Sequence, residues 1–159
     1  MQIAQFLCLP LLALLAGCAS SGPSSVIDGS RGGVPMAFGG AGLVDRMVTP
    51  PRAEMGSQVT VRFLFTNVSD RDQYVASLRV TQSSAGSTRL RIEPAGTKVD
   101  RTVEPGEDIE IDVRLTVYRS RPMSGEPQQA GVRLDTRLLM RDGTAYSYPI
   151  EIPVDLASY

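Results

Sequence analysis

Residues 108–118 read Asp-Ile-Glu-Ile-Asp-Val-Arg-Leu-Thr-Val-Tyr, a strict alternation of polar and apolar side chains. Successive side chains of an extended chain point to opposite faces. Ile109, Ile111, Val113, Leu115 and Val117 therefore form one apolar face, and Glu110, Asp112, Arg114 and Thr116 form the other. This is a strand with one buried side. Glu104-Pro105-Gly106-Glu107 before it is a proline–glycine turn. After it, Arg119–Gly131 is a long loop holding Pro122, Gly125 and Pro127. Beyond the loop, Val132, Leu134, Leu138 and Met140 alternate with Arg133, Asp135, Arg137 and Arg141. Asp142-Gly143 is a favoured hairpin turn, and Tyr146, Tyr148, Ile150, Ile152 and Val154 make the returning face. Pro149 and Pro153 fall on the opposite phase, and two prolines in one strand predict an edge position.

Towards the N-terminus the same period continues. Gln73–Gln82 carries Tyr74, Ala76, Leu78 and Val80 on one face, and Ser57–Thr66 carries Val59, Val61, Phe63 and Phe65. A polar turn, Asn67–Asp72, separates them. Thr88–Glu93 is a short strand, Thr97–Val103 a weaker one interrupted by Arg101, and Leu43–Val48 a first strand ended by Thr49-Pro50-Pro51. Seven or eight strands with no convincing helix, at turn spacings of about 8–12 residues, predict an all-β antiparallel sandwich over 43–159. A small closed barrel is the rival architecture. The succession of strand, Asn-Val-Ser turn and Pro-Gly-Glu turn resembles many immunoglobulin-like domains of bacterial envelope proteins, without the antibody-type Cys–Trp–Cys arrangement.

Before the strands, Ile3–Ala16 is an apolar run too short to span a bilayer as a helix. It ends in Leu15-Ala16-Gly17-Cys18, small residues before a cleavage point, as in a secretory signal. These four residues resemble the lipobox of bacterial lipoproteins, although Met1–Gln5 lacks the basic start that such signals normally have. The resemblance implies a signal peptide over 1–17 and a diacylglycerol and an acyl chain on Cys18, with no other cofactor. Buried methylenes contribute about 0.8 kcal/mol each, so two or three chains anchor a domain durably. Ala19 in place of Asp implies, by the enterobacterial sorting rule, the outer membrane, with the domain facing the periplasm or the cell surface. Residues 18–42 are dominated by Gly, Ser and Pro and are expected to form a flexible tether spanning on the order of 25–30 Å.

Composition removes several functions. There is no His and no Trp, which excludes a His-based triad, a His general base and the commonest metal ligand. The net charge of −1 gives no basic footprint for nucleic acid. Once Cys18 is acylated and Cys8 has left with the signal, no thiol remains to form a disulfide. No nucleophile is spaced with a base, and no glycine loop precedes a helix, so the chain is not expected to be an enzyme. Asp108, Glu110 and Asp112 alternate along a strand rather than converging from a loop, so they are expected to face solvent and Arg133, Arg137 or Arg141 on neighbouring strands. Asn67-Val68-Ser69 matches a glycosylation sequon only incidentally. Two segments are candidate partner contacts: the apolar island Val34, Met36 and Phe38, which could otherwise be linker or a first strand, and Arg119, Arg121 and Met123 in the long loop. The expected role is that of a membrane-anchored, protein-binding accessory, structural or assembly subunit of an outer-membrane or surface complex. The alternative is a module binding a small ligand or a glycan.

Overall fold

The computed structural model describes residues 25–44, 57–83, 90–119 and 129–155. Among the described residues nine strands run in chain order: β1 (Ser25–Asp28), β2 (Met36–Leu43), β3 (Ser57–Asn67), β4 (Gln73–Gln82), β5 (Leu90–Ile92), β6 (Ala95–Val103), β7 (Asp108–Arg119), β8 (Gln129–Met140) and β9 (Thr144–Asp155). They form two sheets, in the orders β1-β9-β8-β4-β6 and β2-β3-β7-β5. Among the described residues no ladder joins the two sheets, so the architecture is a sandwich and not a closed barrel. Every pairing is antiparallel except that of β1 with β9.

The alternating faces read from the sequence meet between the sheets. Val59, Val61, Phe63 and Phe65 of β3 and Ile109, Ile111, Val113, Leu115 and Val117 of β7 pack against Leu78 and Val80 of β4, and against Val75 in place of the expected Tyr74 and Ala76, because β4 carries an extra residue between Val75 and Ser77 that reverses the phase. Val132, Leu134 and Leu138 of β8 and Tyr148 and Ile152 of β9 complete the five-stranded side. Burying these faces is the main favourable contribution to the fold, whose described residues include no cysteine. β6 alternates weakly for a physical reason. Its Lys98–Arg101 segment opposes only Ser77–Val75 of β4, so β6 carries one extra residue, and Asp100 takes a left-handed φ of 45° at this bulge.

The Asn67 corner shows how the turns are held. Asn67 is fully buried, and its Nδ2 donates to the carbonyls of Arg71 and Val103, both at 2.8 Å. Its Oδ1 accepts from the Ser69 amide and hydroxyl. Its own carbonyl accepts from Gly106, which turns at φ 77°. The sequon is therefore a structural corner tying the 67–73 turn to the proline–glycine turn.

Two expectations are corrected. Residues 25–28 and 36–43 are strands, so the sandwich begins at Ser25 and not at Leu43, and the flexible tether expected over 18–42 does not extend through them. Low complexity misled because strand pairing supplies backbone hydrogen bonds whatever the side chains, and Met36, Phe38, Ala41 and Leu43 sufficed to seat β2. Of the strand expected over 43–48, Leu43 ends β2, and residues 45–48 lie outside the described residues. The long loop is shorter than expected, because β8 starts at Gln129. Residues 1–17, like 18–24, lie outside the described residues.

Candidate functional site

The flank where β1, β2 and β9 converge is built around Tyr148. Its ring lies at 5.2 Å from Phe65 and 5.9 Å from Phe38, and Phe38 lies at 5.6 Å from Phe65. Its hydroxyl donates to the Met36 carbonyl at 2.6 Å, joining the two sheets. Burial pushes the Tyr148 phenol well above the usual tyrosine range. Gly29 approaches the ring so closely that a Cβ there would stand 2.3 Å from Cε1.

β1 seals half of the adjoining strand. The Gly29 amide donates to the Ser147 carbonyl at 2.6 Å. In a parallel ladder of this register the next donor would be residue 149, which is proline, and the pairing stops there. The backbone groups of Pro149, Glu151, Pro153 and Asp155 point the same way as those of Ser147, towards the open side. The expectation of an edge strand thus holds for the half of β9 that carries the prolines. The half without them is covered by β1.

The candidate contacts divide accordingly. Met36 is fully buried and Phe38 is packed against the core, so neither is a free docking side chain; Val34 is half-buried before β2. The island is the first strand of the four-stranded sheet, because its alternation at 36 and 38 matches the Phe65 and Tyr148 rings. Arg119 ends β7, with its backbone paired to Leu90. Cys18, Arg121 and Met123 lie outside the described residues. Beside the buried seam, Val26 and Ile27 of β1 are 50% and 42% exposed. A strand of four exposed residues carries no periodic signal by which it could be read.

The outer faces carry charge. Arg62 of β3, not an arginine of β8, partners the acidic run. Its Nε lies 2.8 Å from Asp112 and its Nη1 3.2 Å from Glu110. The Thr66 hydroxyl donates to Asp108 at 2.6 Å. The reason is topological: β7 lies beside β3, whereas β8 belongs to the other sheet. The hydrogen bond from Arg62 holds the Asp112 carboxyl below its usual range. On the five-stranded sheet, Arg133 pairs with Glu151, Arg137 with Asp135, and Arg141 lies over the Tyr74 ring.

A small apolar pocket, partly open to solvent, lies between the sheets and is lined by Leu43, Val59, Ile92, Val117, Val132, Ile152 and their apolar neighbours. It offers no polar group to orient a ligand. Tyr118, the tyrosine on an outer phase, donates its hydroxyl to Glu93 at 2.7 Å.

No protein-family model and no curated protein matches the chain. Solved structures similar to it include a FixG-related protein from Vibrio parahaemolyticus, at 13% identity over 77% of this chain and 97% of that one, with a TM-score of 0.36. The E. coli chaperone DraB is 15% identical over 73% of this chain and 54% of that one, with a TM-score of 0.28. The periplasmic chaperone SfaE is 15% identical over 75% and 58%, with a TM-score of 0.32. The chain is an all-β protein with a sandwich of two sheets.

Proposed function

We propose that the chain is a non-enzymatic envelope lipoprotein, acylated at Cys18, whose sandwich binds a protein partner as an accessory, structural or assembly subunit of an outer-membrane or surface complex. The observation that carries this reading is the sequence Leu15-Ala16-Gly17-Cys18 set so close before the first strand at Ser25. Seven Cα steps (25 − 18) reach at most about 25 Å even when fully extended. The β1 flank would therefore work at the membrane surface.

Partner contact by adding a strand suits this fold poorly. The open half of β9 is interrupted by prolines, β6 carries a bulge with Lys98, Asp100 and Arg101, β5 has three residues and β1 four, and β2, the other edge of the four-stranded sheet, is broken by the register shift between Phe38 and Gly40. Contact through side chains is favoured instead, and Val26 and Ile27 are the exposed apolar pair nearest to the anchor in sequence. The test is gentle detergent extraction from native membranes, mass spectrometry of the N-terminus and quantification of co-purifying proteins. An acylated Cys18 with a partner at fixed ratio, lost on Val26→Asp, is expected. An uncleaved N-terminus, or an acylated chain that purifies alone, overturns the proposal.

A further inference from the structure

The register of the five-stranded sheet sets two arginines face to face. One row across it reads Gly96 on β6, Arg79 on β4, Arg137 on β8, Ser147 on β9 and Asp28 on β1. Arg79 and Arg137 are direct cross-strand partners, and both are exposed. Like charges directly opposite each other destabilise a sheet. Asp135 relieves this opposition on the Arg137 side alone, accepting from Arg137 Nε at 3.2 Å and Nη2 at 2.9 Å on one oxygen and from the Ser147 hydroxyl at 2.7 Å on the other. Asp28, at the far end of the row, is occupied by Ser30 and Arg31. Lys98, diagonal to Arg79 on β6, has its own partner in Asp100. Arg79 is therefore left without an anion among the described residues. On its other side the row continues with Gly96, which has no side chain to cover the Arg79 stem.

We propose that Arg79 and Arg137 form an oxyanion site that takes a phosphate group between their guanidinium planes, with Lys98 adding charge at the rim. A guanidinium presents paired N–H donors that match the oxygens of such a group, and two of them on neighbouring strands can hold one phosphate from both sides. The bound anion converts the like-charge opposition into a bridged pair. The chemistry is that of a phosphate ester, whether it belongs to a soluble molecule or to a lipid headgroup. The site stands independently of the acylation of Cys18.

The test is an NMR titration of the arginine Nε–Hε resonances in the full chain, held in zwitterionic detergent. Inorganic phosphate is added in one arm. Phosphatidylglycerol, against phosphatidylcholine, is added in the other. Saturable shifts at Arg79 and Arg137 are expected, weakened about tenfold or more by Arg79→Gln, the loss of one charge-assisted contact. They should also weaken with added salt. A response to phosphate alone assigns a soluble ligand, and a response to phosphatidylglycerol beyond phosphatidylcholine assigns a headgroup. Arg79→Glu should raise the melting temperature by replacing the opposition with an ion pair, and should abolish the titration at Arg137. Absence of saturable shifts in both arms, or an Arg137 titration unchanged by Arg79→Gln, overturns the proposal.

Discussion

Replacing Gly29 with Ala tests whether the N-terminal strand is locked onto the sandwich by Tyr148. The new Cβ would stand 2.3, 2.5 and 2.8 Å from three carbons of the ring. Carbon atoms pack at about 3.5 Å or more, so either the ring or the 28–30 turn must give by about 1.2 Å. The ring cannot move freely, because it is buried against Phe38 and Phe65 and its hydroxyl is bonded to Met36. Overpacking of this kind costs about 1–3 kcal/mol. In a domain of this size that lowers the melting temperature by roughly 3–5 °C per kcal/mol. The informative experiment is a double-mutant cycle with Tyr148→Leu, read by urea denaturation. Tyr148→Leu alone costs about 2–4 kcal/mol, through lost packing and the orphaned Met36 carbonyl. In its background the Ala methyl enters vacated space, so the two substitutions together should cost at least about 1 kcal/mol less than their sum. Hydrogen exchange at residue 29, whose amide donates to Ser147, should accelerate in Gly29→Ala and recover in the double variant. Additivity to within about 0.5 kcal/mol would refute the lock.

Three further outcomes follow from the same structure. Burial raises the Tyr148 phenol in the folded state, so above pH ~10 the unfolded chain loses a proton that the folded chain keeps; stability present below that pH should fall by up to about 1.4 kcal/mol per pH unit, and Tyr148→Phe should flatten that part of the profile measured by denaturation at successive pH values. Asn67→Ala removes two donors to carbonyls, one of them buried, and should cost about 2–4 kcal/mol in urea unfolding with an unchanged m-value; a loss under about 1 kcal/mol would show that water replaces the side chain. Cys18→Ser should move the chain from the membrane fraction to the soluble fraction on cell fractionation, and retention in the membrane would count against acylation at that residue.

The large strands were legible because alternation is a direct consequence of one-sided burial. β3, β7, β8 and β9 each bury enough apolar residues at period two to be read without neighbours, whereas β4 keeps that period only at Leu78 and Val80, its bulge at Ala76 burying Val75 and not Tyr74. What escaped depends on partners. β1 has four residues, all exposed, and only the register with Thr144–Ser147 makes them a strand. β2 hides behind Gly39 and Gly40, where an extra residue shifts its register against Phe65 and Leu64. The charge pairing of β7 was misassigned because alternation says which side chains share a face and nothing about which strand lies next door. Arg62 could have been found only by placing β3 beside β7. The opposition of Arg79 and Arg137 was invisible for the same reason, since these residues lie far apart in sequence and meet only through the β4–β8 register.

The outer edge of β9 explains why a Gly- and Ser-rich N-terminus should be folded at all. An uncovered strand edge invites pairing with other chains. Proline blocks it cheaply, but only where the strand's missing donors point outward, as at 149 and 153. Thr144–Ser147 has no such protection, and there the chain covers itself with β1, ending at the residue where Pro149 makes further pairing impossible. A partner that paired with this edge would first have to remove β1 and the Gly29 contact beneath it. A partner that touches Val26 and Ile27 from outside needs no such opening. If Cys18 carries lipid, the same covering strand fixes one flank of the sandwich within about 25 Å of the membrane, which limits the partners able to reach it to those at the bilayer surface.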